Sequence, residues 1–203
     1  KGLKKGTLYL QKMNDTAIVS IDSMNVIGDG KFRLTDNVDS PIMYYLTFNG
    51  NANDKRILFF GEKGTITIND NMATFGFSPE ITGSDNQLIL ENFSKINNQF
   101  KNQRLEFIKK EFEAVQSKDS DLIEKVQNDY NRMIRRKYLY TTNFALTNSD
   151  SEAAPYIALT ELYDANIKLL DTINKKLSVA VKKSAYGKRL DKYISEIKAK
   201  ENK

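Results

Sequence analysis

The side chains best suited to chemistry in this sequence are basic residues that lie among tyrosines. Together they form a candidate interaction surface, which comprises Arg132, Arg135, Arg136, Lys137, Tyr138 and Tyr140. Guanidinium and ammonium groups bind phosphates and carboxylates, while tyrosine rings stack on bases or pack at protein interfaces. The set therefore predicts recognition of a partner rather than a reaction.

This basic cluster has two interpretations. At helical spacing Tyr130, Met133 and Ile134 lie on the inward side and the arginines on the outward side. In one interpretation the arginines line a solvated helix face and pair with nearby Glu. In the other they dock onto a partner.

Oxygen-rich side chains form a second group of candidates, which could accept a hard cation. They comprise Asp36, Asp39 and the polar loops at 14–15, 51–54 and 69–71. None has the spacing of a known calcium loop, and turn formation explains them. Asp22 and Glu62 would be a carboxylate pair for acid–base catalysis, as in a hydrolase, but no spacing argument brings them together. We therefore predict no catalytic, cofactor-binding or metal-binding residue and no enzymatic activity.

Composition excludes several kinds of chemistry. The 203-residue chain contains no Cys, no His and no Trp, so disulfides, thiol redox chemistry and the common transition-metal ligands are excluded within it. No apolar run approaches the roughly 18 residues that would span a bilayer. Residues 1–83 are neutral overall, whereas residues 84–203 carry the whole net charge of +5. This asymmetry points to the second part as the one that contacts anionic groups.

The first part of the chain, residues 1–83, has the two-residue period of strands. Phe32 and Leu34 alternate with polar residues, which predicts a half-buried strand over 31–35 between a turn at 28–30 and Pro41. The continuous apolar run at 56–60 predicts a central strand. Other strands are predicted over 6–11, 17–22, 42–48, 56–60, 65–68, 72–78 and 80–82. Turns are predicted at 14–16, 49–54, 61–64 and 69–71. Such spacing predicts an antiparallel β-sandwich or a flattened barrel.

The second part, residues 84–203, has the period of helices. An uninterrupted pattern over 84–116 predicts one long helix, capped by Ser84 or Asp85. About four further helices follow, with Ser151 and Ser184 as predicted caps. The fold class is therefore α+β, with a β-rich domain over 1–83 and an all-helical domain over 84–203.

Several short motifs occur in a recognisable order. They are Gly6–Leu10, Ile21–Ser23, Gly30–Leu34, Val38–Pro41, Phe60–Ile66, Thr82–Ser84, Phe144–Pro155 and Lys183–Leu190. The first six resemble the domain of unknown function that precedes a thioredoxin-like domain in many periplasmic thiol–disulfide lipoproteins of Gram-negative bacteria. The last two resemble the helical spacer between the two domains of those proteins.

This resemblance implies a cell-envelope location, in the periplasm or anchored to the outer membrane through a lipidated Cys upstream of Lys1. The expected function is that of a non-catalytic envelope lipoprotein module that binds a partner. The partner we expect is an envelope protein rather than a nucleic acid. The alternative is an accessory part of a thiol–disulfide oxidoreductase system whose thioredoxin-like domain is missing or lies on another chain. The relatives' Cys-x-x-Cys motif has no counterpart in this sequence, so their redox activity cannot be assigned to any of its residues.

Overall fold

The chain has an α+β fold, as the sequence predicts. The computed structural model describes residues 2, 5–14, 17–28, 30–50 and 56–201. The chain divides into two compact units, Lys1–Leu88 and Ile89–Lys203. Among the described residues, every strand lies before Gly83 and every α-helix begins after it. The change of sequence period near Gly83 therefore marks the change from strands to helices.

The first unit is built on a four-stranded antiparallel sheet with the strand order β2-β1-β3-β4. The strands are β1 (Lys5–Asn14), β2 (Ala17–Ile27), β3 (Ile42–Phe48) and β4 (Arg56–Gly61). The prediction of a central strand at 56–60 is wrong, because β4 lies at an edge of this sheet. Leu10 pairs with Leu46, which in turn pairs with Ile57, so these three side chains share one face of the sheet. This face carries the hydrophobic core of the unit.

A second, two-stranded sheet consists of β5 (Thr67–Asn69) and β6 (Glu80–Thr82). Ile68 lies opposite Ile81, and both side chains pack against the core of the first unit. The strand predicted over 72–78 is wrong, because the chain forms a 3₁₀ helix over Met72–Thr74. Asp70 accepts a hydrogen bond from the Gly76 N–H at 2.7 Å, and this local bond favours a turn over a ladder.

The half-buried strand predicted over 31–35 is also wrong, because this segment has no regular secondary structure. It is tethered to the sheet by side chains instead. Asp22 accepts a hydrogen bond from the Thr35 N–H at 2.7 Å, and the Asp36 carboxylate lies 2.5 Å from both the Lys12 ammonium and the Tyr44 hydroxyl. Because Leu34 and Val38 pack against the core, the alternating pattern reflects a chain that lies on a sheet rather than within it.

Some predicted turns cannot be compared with the structure. Residues 15–16, 29 and 51–54, which belong to the turns predicted at 14–16, 28–30 and 49–54, lie outside the described residues.

The second unit is helical. The helices are α1 (Asp85–Ser117), whose first turn lies in the first unit, α2 (Ser120–Thr147), α3 (Ala153–Glu161), α4 (Ile167–Lys176), α5 (Val179–Lys183) and α6 (Ala185–Glu201). Ser84, Ser151 and Ser184 accept hydrogen bonds from backbone N–H groups at the starts of α1, α3 and α6, as predicted.

The predicted fourth helix is divided into α4 and α5. The extended backbone of Leu177 ends α4, and the Ser178 side chain then accepts a hydrogen bond from Val181 N–H to cap α5. The described residues therefore contain six α-helices, where about five were predicted.

The core of the helical unit lies among α2, α3, α4 and α6. Ala158, Leu162, Leu170, Ile173 and Leu190 are completely buried there. Tyr138 of α2 packs against the edge of this core, which places the basic cluster beside the buried residues of the unit. Across the described part of the chain, we find no helix that is both long enough and apolar enough to cross a membrane.

Candidate functional site

The solvent-facing side of α2 carries three of the six predicted site residues. Arg132, Arg135 and Arg136 are all exposed, and Leu139, which lies beyond them, is 58% exposed. The last three residues lie three, four and seven positions after Arg132, so all four lie on one side of the helix. We call this set the α2 basic face.

The ion pairing within the α2 basic face is incomplete. Arg132 pairs with Asp129 on the preceding turn. Within the described ranges, neither Arg135 nor Arg136 forms an ion pair, although a solvated face was expected to pair them with Glu. Arg132 also lies three and four residues from these arginines, and like charges at such spacing destabilise a helix. An acidic surface opposite this face would relieve that repulsion.

Lys137 and Tyr138 do not belong to the exposed face, because both make bonds to the end of α3 and the loop after it. The Lys137 ammonium lies 2.8 Å from Glu161, and the Tyr138 hydroxyl donates to Asp164 at 2.9 Å. Burial and the hydrogen bond to the Asp164 carboxylate raise the pKa of Tyr138 to about 12. These two side chains therefore fix the position of α2 relative to α3.

Tyr140 is part of an aromatic cluster between α1 and α2. Its ring stacks on Phe93 with centroids 5.7 Å apart, and it also contacts Phe100 and Phe144. Burial raises the pKa of Tyr140. The tyrosines that the sequence places beside the arginines are thus packing residues, while Leu139, which sequence reasoning missed, is the exposed apolar side chain. A helical projection would have found Leu139, because it lies four residues after Arg135.

Basic side chains also lie in α4, α5 and α6, where they are dispersed. Lys175 pairs with Asp171 at 2.7 Å, and Lys182 donates to the Lys175 carbonyl at 2.9 Å. Arg189 lies over the ring of Tyr186 at 5.5 Å from its centroid. These contacts occupy several of the cations, so the α2 basic face is the stronger candidate.

An exposed apolar surface on α1 was not expected. We call Leu105, Ile108, Phe112 and Val115 the α1 stripe; they are 64%, 54%, 63% and 56% exposed. The sequence pattern places them beside the buried positions of the helix and suggests that they are packed. Periodicity identifies an apolar side of a helix but does not identify what covers it.

The carboxylates of the first unit have structural roles. Burial alone would raise the pKa of Asp36, but hydrogen bonds from Lys12 and Tyr44, the Lys12 charge and a bond from Asn37 N–H lower it overall. Burial and the Asp36 carboxylate raise the pKa of Tyr44. Asp36 is therefore an anchor for the segment over 30–38 rather than a cation ligand.

The structure does not bring Asp22 and Glu62 together as a catalytic pair. Asp22 lies on β2, at one edge of the sheet, where it holds Thr35. Glu62 follows β4, at the opposite edge, where it accepts a hydrogen bond from the Asn86 side chain at 2.5 Å. Carboxylates at opposite edges of the sheet cannot act together on one substrate as a general acid and a general base.

An open cleft of about 540 Å³ lies beside Glu62 in the first unit. It is lined by Val38, Asp39, Pro41, Glu62, Lys63, Gly83 and Asp85. Its volume suits a small ligand, but its lining is mostly polar and charged, unlike typical ligand pockets. Among the described residues, no three acidic side chains are grouped closely enough to hold a metal ion.

These features define an α+β protein with an antiparallel β unit, a helical unit and an exposed basic face on α2. Residues 1–90 match the family model described as "Domain of unknown function (DUF4369)". The match confirms the resemblance for the N-terminal part of the chain, while the association with thioredoxin-like domains stays a prediction. No curated protein and no solved structure matches the chain.

Proposed function

We propose that this chain is a non-catalytic cell-envelope module that binds a partner protein through the α2 basic face. The partner surface that fits this face is acidic and contains an apolar recess for Leu139. The envelope location, including attachment through a lipidated Cys in the natural protein, is part of the proposal and rests on the resemblance of the sequence motifs.

One observation carries the proposal. Arg135 and Arg136 are exposed side by side without an ion pair among the described residues, and Leu139 lies one turn further along the same side. Arginine combines charge with bidentate hydrogen bonding to carboxylates, which makes it common at interface hot spots. The three side chains also lie on a helix that is fixed by Lys137 and Tyr138, so the face is preorganised for binding.

The same geometry supports a protein partner over a nucleic acid. Binding of single strands usually needs aromatic rings that are free to stack on bases. The Tyr140 ring is engaged by Phe93, and the Tyr138 hydroxyl is engaged by Asp164. Leu139 is the apolar group presented beside the arginines, and it suits a protein surface better than a base.

Site-specific photo-crosslinking tests this function. Cells express the natural protein with a photoreactive amino acid in place of Leu139. After irradiation, the crosslinked adduct is identified by mass spectrometry. We expect one major protein adduct, and we expect Arg135→Glu with Arg136→Glu to reduce its yield at least about tenfold. The identity of the adduct also tells whether the partner is a thiol–disulfide enzyme.

Val179 provides the matched control, because it is an apolar residue that is 71% exposed on another helix. The same photoreactive residue at this position should not give the adduct that forms at position 139. No adduct at position 139, or equal yields of the same adduct at both positions, would show that the α2 basic face is only a solvated surface.

A further inference from the structure

The end of the β unit at which β2 finishes combines exposed basic and apolar side chains. We call Lys5, Ile27, Lys31, Phe32 and Arg33 the β2 tip. Ile27 is 77% exposed and Phe32 is 37% exposed, and the three basic residues are exposed as well. Within the part of the chain that the structure describes, none of these three cations forms an ion pair. Internal ion pairing therefore does not account for them.

Backbone contacts bring the residues of the β2 tip together. Lys5 lies directly opposite Ile27 in the pairing of β1 with β2, so their side chains are neighbours on one face of the sheet. The chain then returns to β2, where the Thr35 N–H donates to the Asp22 carboxylate at 2.7 Å. Residues 23–34 thus form a turn that is closed by this bond, and the other three residues of the tip belong to it.

This turn projects from the unit. Gly28 has φ +69°, and a Cβ added there would meet no other described atom within 4 Å. A Cβ added at Gly30 would lie 3.7 Å from the Phe32 ring, which places this ring against the turn. The apolar groups of the β2 tip therefore lie on a narrow, protruding part of the surface.

The charges of the β-rich part are unevenly distributed, although residues 1–83 are neutral overall. Residues 1–5 and 24–34, which supply the β2 tip, contain five basic residues and one acidic residue. The remainder of 1–83 contains four basic and eight acidic residues. The positive charge of this part is thus concentrated in the same two segments that carry the exposed apolar side chains.

We propose that the β2 tip binds the surface of an anionic lipid bilayer. Lys and Arg side chains near such a surface are attracted to its anionic headgroups. Exposed apolar side chains beside them embed at the boundary between headgroups and acyl chains. A protein partner fits the tip less well, because a stable protein interface buries about 800 Å² on each partner, and a turn with two apolar side chains offers far less. This lipid contact goes beyond the protein partner proposed above and does not depend on it.

A single fluorescent label on the tip tests the proposal. Because the chain contains no Cys, Ile27→Cys gives a unique attachment point for an environment-sensitive fluorophore. The labelled full chain is titrated with vesicles of phosphatidylglycerol and phosphatidylethanolamine, or of phosphatidylcholine alone. We expect a saturable blue shift with the anionic vesicles and none with the neutral ones. Lys31→Glu with Arg33→Glu should weaken this binding at least about tenfold, and circular dichroism verifies that the variant is folded.

The unlabelled chain gives an independent measurement. Its co-sedimentation with the anionic vesicles should be weakened several-fold by Ile27→Ser, which removes the most exposed apolar side chain of the tip. Unchanged co-sedimentation would contradict insertion of this side chain.

Two controls separate the β2 tip from other surfaces. Phe77→Cys carries the same fluorophore at a residue that is 86% exposed in the β unit, within a segment over 64–94 that contains no basic residue. It should show no blue shift. Arg135→Glu with Arg136→Glu should leave the signal from position 27 unchanged, which distinguishes the tip from the α2 basic face.

Several results would overturn the proposal. They are no blue shift at position 27 up to about 10 mM anionic lipid, which is weaker than any useful affinity, equal shifts at positions 27 and 77, and equal binding to neutral vesicles. Loss of vesicle binding on substitution of Arg135 and Arg136 would assign the lipid contact to α2 instead. Crosslinking at position 139 requires no vesicles, so failure of this proposal is distinguishable from failure of the proposed function.

Discussion

Replacing Asp36 with Asn should destabilise the β unit, because this carboxylate anchors an irregular segment to the sheet. It lies 2.5 Å from the Lys12 ammonium and 2.5 Å from the Tyr44 hydroxyl, and its side chain is only 14% exposed. Hydrogen bonds to a charged group contribute about 1.5–3 kcal/mol, so we expect a loss of about 2–3 kcal/mol in unfolding free energy. Amide hydrogen exchange of β1 and β3 in the full chain, measured against urea, gives this quantity.

The effect should depend on pH in a defined direction. The folded pKa of Asp36 is lowered relative to that of the unfolded chain, so its contribution is present above about pH 4, the ordinary Asp pKa. The contribution is lost as the pH falls through the lowered, folded pKa. The stability difference between the natural protein and Asp36→Asn should therefore shrink in acid.

Asp39→Asn is the matched control for this prediction, because Asp39 is a neighbouring exposed carboxylate. We expect it to change stability by less than about 0.5 kcal/mol, as is usual for surface substitutions. If Asp36→Asn and Asp39→Asn have the same effect at neutral pH, the anchoring role of Asp36 is refuted.

Three further substitutions probe other contacts. Gly83→Ala should lower the free energy of unfolding by about 2 kcal/mol or more, because Gly83 has φ +91° and an added Cβ would lie 2.2 Å from the Thr65 carbonyl oxygen. An unchanged midpoint of thermal or urea unfolding would contradict this. Tyr138→Phe should abolish the spectroscopic titration with a pKa of about 12. It should also remove a contribution to stability that is present below about pH 10, the ordinary tyrosine pKa. A measured Tyr138 pKa near 10 would disprove the Asp164 bond. Thr141→Val should stabilise the chain by up to about 1 kcal/mol, because the buried Thr141 hydroxyl has no hydrogen-bond partner among the described residues. A clear loss of stability would show that it has one.

Much of the fold could be predicted from sequence because local signals and tertiary structure agree there. The apolar runs at 42–48 and 56–60 form the two adjacent strands β3 and β4, and the serines at 84, 151 and 184 cap helices. In these places the burial pattern and the hydrogen-bonding preference of the residues favour the same structure.

The segment over 31–35 shows where this agreement fails. Alternation of apolar and polar residues is also produced by an irregular chain that lies on a core. The bonds that decide its conformation come from Asp22 to Thr35 and from Asp36 to Lys12 and Tyr44, which are distant in sequence. No local pattern contains this information.

The candidate site could be predicted in part, for a similar reason. Helical spacing places Arg132, Arg135 and Arg136 outward, and the structure agrees. Whether Tyr138 and Tyr140 are packed or free depends on their contacts with Asp164 and Phe93, which belong to other parts of the helical unit. Residue type alone cannot distinguish an interface tyrosine from a packed one.

The salt dependence of crosslinking at position 139 tests the central proposal most directly. Adduct formation is measured in lysed cells as the salt concentration rises from about 0.05 to 0.3 M, a range over which exposed charges become strongly screened. We predict that the yield falls steeply for the natural arginines and is low at every salt concentration for Arg135→Glu with Arg136→Glu. A yield that is independent of salt and unchanged by the two substitutions would contradict recognition through the α2 basic face.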